Sequence, residues 1–233
     1  MENNIFLECC CTDATEAVQA MKGGALRVEL CEDLPCGGVT PSCANIEETL
    51  RSVNIPVNVL VRARGGNFVY SDNEIGMMVK SVRMCRELGV NGVVVGALRN
   101  DGSIDTEAVR RMVAEAEGLH VTFHRAFDEC ADPFAALEEI IDLGCDRLLT
   151  AGHASNVNVG EPMLRDLNRR AAGRIIILAG SGVRPGNIAR LEASTGCKEF
   201  HSSSHGPDGR TSREVVAAMV DASAGSATTN CGH

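Results

Sequence analysis

RIIILAGSGVRPGNIARLEA, residues 174–193, holds one complete folding unit. Its apolar run at 174–180 is too short for a helix and suits a buried strand. A glycine-rich turn follows. A helical stretch then runs from about Pro185 to Ala193, with proline near its start, where its missing N–H costs nothing. A buried strand passing through a short turn into a helix is the repeating part of a parallel sheet.

The same order recurs on both sides. Strand runs stand at 5–10, 26–31, 57–62, 91–97, 121–126, 146–151 and 198–203. Helical stretches separate them at 13–22, 43–53, 72–88, from Asp105, from Pro133 to Gly144, at 160–171 and at 213–222. Thr12 is expected to cap the first helix, and Ile104 with Val109 to staple the fourth. Eight such units close into a TIM (β/α)8 barrel, with a doubly wound open sheet as the alternative. No linker or shift in composition divides the chain. One domain is expected over 1–222, and a frayed tail over 223–233.

The chain has 233 residues, 44% of them hydrophobic and 23% charged, which excludes a disordered or collagenous protein. A net charge of −9 argues against nucleic acid or an anionic membrane as the main partner. No apolar run approaches the roughly 18 residues of a membrane span. MENNIFLE lacks the basic and apolar stretches of a signal peptide, so a cytoplasmic protein is expected. The 11 cysteines then read mainly as reduced apolar fillers rather than a disulfide framework.

Strand side chains alternate between faces. The apolar sets Leu26/Val28/Leu30, Val57/Val59/Val61, Val121/Phe123 and Ile5/Leu7 are expected to meet the helices. Glu8, Cys10, Arg27, Glu29, Cys31, Asn58, Arg62, Arg64, Thr122, His124, Glu199 and His201 then point inward. Some of these charges would pair, as Arg27 with Glu8 or Glu29. Those at strand C-terminal ends would meet a water-filled mouth, where this fold keeps its active sites. Glu8, Glu29, His124 and His201 are candidates for proton transfer. Arg62, Arg64 and Arg125 suit an anionic substrate, as does the turn at Gly180, Ser181 and Gly182. Cys10 and Cys31 share a face on adjacent strands, and a soft thiolate pair suits a Cu(I) ion.

LRVELCEDLPCGGVTPS (26–42), RARGGNFVYSD (62–72), GALRNDGSID (96–105), TFHRAFD (122–128), LLTAG (148–152), GSGVRPGN (180–187) and EFHSS (199–203) together resemble the CutC family, named for copper homeostasis. The resemblance spans about residues 5–204. It implies a cytoplasmic, self-associating TIM barrel, a homodimer or higher homo-oligomer, with copper binding at Cys10 and Cys31. It also marks Glu8, Glu29, Arg62, His124, Arg125 and His201 as a shared polar set. The segment after Ser204 is shorter than the family's usual one. Three readings follow: a copper-binding protein of copper homeostasis, a barrel enzyme of lyase or isomerase type acting on a small anionic or phosphorylated metabolite, and a scaffold that only dimerises.

Overall fold

The computed structural model describes residues 5–224. Eight parallel strands close into a barrel in sequence order, and the eighth pairs with the first. The strands are β1 (Phe6–Cys11), β2 (Arg27–Leu30), β3 (Val57–Leu60), β4 (Gly92–Val95), β5 (His120–Phe123), β6 (Arg147–Thr150), β7 (Ile176–Gly180) and β8 (Glu199–Ser202). The helices are α1 (Ala14–Gly23), α2 (Cys43–Ser52), α3 (Asp72–Leu88), α4 (Thr106–Glu115), α5 (Pro133–Asp142), α6 (Val157–Ala171), α7 (Ile188–Thr195) and α8 (Arg213–Ala224). This is the TIM barrel, not the open sheet. The tail expected over 223–233 lies outside the described residues from 225 onward, and α8 itself runs to Ala224.

Local chemistry accounts for the differences at element ends. Asp13, not Thr12, caps α1: its carboxylate accepts from the Glu16 N–H at 2.9 Å, while Glu16 reaches back to the Thr12 N–H at 2.8 Å. Asn156 starts α6 three residues early by accepting from the N–H groups of Asn158 and Val159. Pro185 and Gly186 form a turn closed by Arg184 and Asn187, so α7 begins at Ile188. At β5 the strand ends at Phe123, because His124 caps a 3-10 turn over Arg125–Glu129.

Alternate strand side chains divide the interior into two regions. Val28, Leu30, Val57, Val59, Phe123 and Phe200 belong to the large apolar layer between sheet and helices. A separate small cluster of Cys10, Cys31, Leu60 and Val94 lies inside the barrel. Leu26 precedes β2 and is 46% exposed, so it does not join the helix-facing set.

Below that cluster the barrel interior is ionic. Arg27 on β2 bonds Glu8 on β1 through Nε and Glu199 on β8 at 2.6 Å through Nη2. Arg147 on β6 reaches Glu199 at 2.9 Å. Arg27 therefore pairs with Glu8 and Glu199, and Glu29 has a different partner. Removing one member of a buried network strands the charge of the others. Arg27→Leu is expected to lower the urea unfolding free energy by about 3–5 kcal/mol. Adding Glu8→Gln to Arg27→Leu removes the stranded charge and should recover part of the deficit. No recovery would place the loss in packing instead.

Candidate functional site

The strand C-terminal ends open onto a cavity of about 530 Å³. Its wall holds Cys10, Glu29 and Cys31 from β1, β2 and the residue after β2, with His201 from β8. Arg62 and Phe68 enter from the loop after β3, and His124 and Arg125 from the end of β5. Ser181, Gly182 and Arg184 come from the turn after β7.

The loops are braced from within, which fixes these side chains. The Arg62 guanidinium donates to the carbonyls of Gly38 at 3.1 Å and Gly66 at 2.6 Å, and lies 4.7 Å from the Phe68 ring centre. Gly37 leaves room for it: a Cβ there would stand 2.8 Å from Arg62 Nη1. Asp128 ties the FHRAFD segment to LLTAG, accepting from the Thr150 hydroxyl at 2.5 Å and from the N–H groups of Ala151 and His153.

Six of the expected inward residues meet at the cavity: Cys10, Cys31, Glu29, Arg62, His124 and His201. Arg125, Ser181 and Gly182 also line it. Three expected residues do not. Arg64 turns outward and bonds Glu74 at 2.6 Å, within a capping box that opens α3. Glu8 lies one layer deeper, on Arg27, and reaches His201 Nε2 only at 3.9 Å. Gly180 supplies space, since a Cβ there would meet Leu149 Cδ1 at 2.5 Å and His201 Cβ at 3.2 Å. Phe68 and Arg184 went unremarked in the sequence, although both stand inside motifs singled out for other residues.

His201 Nε2 lies 2.6 Å from Glu29 Oε2. Burial disfavours the charged imidazole, but the Glu29 carboxylate outweighs it and raises the His201 pKa above its ordinary value. Burial likewise opposes ionisation of Glu29, and His201 overcomes it and lowers the carboxyl pKa. The two form a buried ion pair, stable at pH values between the lowered and the raised value.

His124 behaves oppositely. Burial, helped by the Arg62 charge, depresses its pKa to about 4. Its Nδ1 accepts from the Ala126 N–H at 3.1 Å, so the neutral ring carries its proton on Nε2. Among the described residues that Nε2 has no hydrogen-bond partner, and neither does Arg62 Nε. The ring lies so close over Gly96 that a Cβ there would be 2.4 Å from His124 Cε1.

Cys10 Sγ and Cys31 Sγ are 3.6 Å apart, hydrogen-bonded and not joined by a disulfide. The Cys10 thiol is held well above the ordinary thiol range, first by its hydrogen bond to Cys31, then by burial and the Glu29 charge. Two sulfurs can lie up to about 4.6 Å apart on one ion, taking a metal–sulfur bond of roughly 2.3 Å. Donor atoms of Cys10, Glu29 and His201 also lie within 4.8 Å of one another. The donor set therefore fits a thiophilic ion.

The His124 shift has a stability consequence. The unfolded ring protonates near pH 6.5, the folded one not until about 4. Stability from this group is full above 6.5 and is lost as pH falls through that window. Urea titrations at pH 7 and pH 4 should show the unsubstituted protein losing about 3 kcal/mol more than His124→Leu. Equal losses would mean that His124 titrates normally.

The sequence model of the CutC family matches residues 5–206. A CutC family protein of Parabacteroides distasonis is 49% identical over 199 residues, covering 85% of this chain and 82% of its own. One from Vibrio vulnificus is 44% identical, over 83% of this chain and 78% of its own. A solved CutC structure from Streptococcus agalactiae, named for copper homeostasis, superposes with a TM-score of 0.82 at 32% identity. It covers 89% of this chain and all of its own. A phosphoribosylanthranilate isomerase from Thermotoga maritima matches with a TM-score of 0.63 at 13% identity, over 95% of this chain and 99% of its own, a likeness of fold alone.

Proposed function

The chain belongs to the CutC family, and we propose that it binds Cu(I) in copper homeostasis, through Cys10 and Cys31 at the floor of the barrel mouth. The observation that carries this reading is the pair of reduced, buried sulfurs 3.6 Å apart, facing one cavity from neighbouring strands. Thiolate sulfur is the ligand type that selects Cu(I). His201 lies within 4.8 Å of the Cys10 donor, but its Nε2 is engaged by Glu29 at 2.6 Å, so the two sulfurs carry the site. On the family resemblance, the protein works in the cytoplasm as a homodimer or higher homo-oligomer. No helix among the described residues is long and apolar enough to cross a membrane.

Copper enters at a cost in protons. A thiol must ionise to become a ligand, and Cys10 is held in its protonated form at neutral pH. Binding therefore releases protons, and the affinity rises with pH by about tenfold per unit for each thiol proton displaced.

The test is titration with Cu(I) against a competing chelator at pH 6, 7 and 8. About one equivalent is expected to bind, tightening as pH rises. The Cys10→Ser/Cys31→Ser double variant should lose the site, and size-exclusion chromatography with light scattering reads the assembly. Unchanged affinity in the double variant would refute the assignment.

A further inference from the structure

A copper ion would occupy a small part of a cavity of about 530 Å³, which lies within the range of small-molecule sites. The remaining wall has a definite chemistry. Arg62 is only 5% exposed and pairs with no carboxylate among the described residues. Its guanidinium charge meets main-chain carbonyls, the Phe68 ring and the neighbouring Tyr70 hydroxyl, and its Nε–H has no hydrogen-bond acceptor among the described residues. This is unusual in a chain carrying 31 acidic residues against 22 basic ones. Arg184 at the rim is also without a carboxylate and donates to the Ser202 hydroxyl at 3.2 Å. Glu29 is engaged by His201, and Arg125 by Asp128 at 2.8 Å; Glu129, the remaining carboxylate on the wall, is exposed to solvent.

His124 stands beside Arg62, 4% exposed, and offers a second unpartnered donor at Nε2. The Phe68 ring lies against both residues, 4.9 Å from the imidazole centre and 4.7 Å from the guanidinium carbon. It screens them from water. A buried charge without a counter-charge, next to a buried N–H without an acceptor, is a costly arrangement that an oxyanion would relieve in both respects. Arg also suits the planar, two-oxygen geometry of carboxylates and phosphates.

We propose that the cavity binds a small organic oxyanion, a carboxylate or a phosphate ester, with its anionic group held between Arg62 and His124 and drawn in past Arg184. The ligand displaces Phe68 as the neighbour of both donors, and its remaining atoms fill the mouth toward Ser181 and Gly182. This site uses neither cysteine, so it stands or falls separately from copper.

Calorimetric titration of the full chain with inorganic phosphate, and separately with acetate, at constant ionic strength, tests it. At least one probe should bind saturably, and the tighter of the two identifies the class of anion. Arg62→Lys and His124→Leu should each weaken binding at least tenfold, while Cys10→Ser/Cys31→Ser leaves it unchanged. Because Arg62→Lys risks misfolding, Arg184→Gln at an exposed position is the further variant, with binding at least threefold weaker. No saturable binding of either probe, or binding unchanged in every folded variant at Arg62, His124 and Arg184, would overturn the proposal. Loss of anion binding in the cysteine double variant would overturn its independence from the metal site.

Discussion

The contact between Arg27, Glu8 and Glu199 holds the closing seam of the barrel. It joins β2 to β1 and, across the interior, to β8, and Arg147 extends it to β6. Barrel closure requires every strand to send half its side chains inward, and here the deepest of them are charged. Such charges are tolerable only when nearly every one is matched. Because this lower layer neutralises itself, Glu8 is committed to structure. The acid–base groups that remain available are those two residues further along each strand, where β1 offers Cys10, β2 offers Glu29 and β8 offers His201.

That height difference separates a structural layer from a chemical one. The lower layer closes on Arg27, and the next holds the His201–Glu29 pair and the two sulfurs. Above these stand Arg62 and His124, each with an unanswered donor. The two lower layers balance their charges, with Glu8 Oε1 left without a hydrogen bond, whereas Arg62 in the upper layer pairs with no carboxylate among the described residues. The contrast is what a binding site on a rigid scaffold requires: the part that meets a ligand is unsatisfied without one, and the part beneath holds it in place.

Much of this was legible in the sequence because strands alternate with period two. The alternation of LRVELC and VNVLV placed Arg27, Glu29 and Asn58 inside, and the valines outside, without reference to any coordinates. The rule fails where the pleat ends. β3 stops at Leu60, so extending its alternation to Arg64 put a guanidinium in the cavity that instead braces α3 through Glu74. His124 lies just past the end of β5 and still points inward, because capping the 3-10 turn orients its ring. Depth was not legible either: alternation tells in from out but cannot tell Glu8, on the floor, from Cys10, in the cavity. Phe68 and Arg184 went unnoticed because their positions depend on loop bracing by Glu74 and Asn187, which no period encodes.

The copper and anion readings do not compete for charge. Around the two sulfurs the cavity carries Arg62 and Arg184, neither paired with a carboxylate among the described residues, while Glu29 is cancelled by His201 and the exposed carboxylate of Glu129 lies on the wall. Two thiolates around one Cu(I) carry a single net negative charge, which offsets one guanidinium, and the exposed Glu129 on the cavity wall offsets part of the other through water. The buried Arg62 keeps its hydrogen-bond donors for an anion in the metal-loaded cavity. An anion, in turn, screens the guanidinium field that a cation must cross to reach Cys10. Coulomb energies of this kind are strong in a low-dielectric mouth and fade in bulk water, so the coupling belongs to the buried pair Arg62 and His124 more than to Arg184 at the rim.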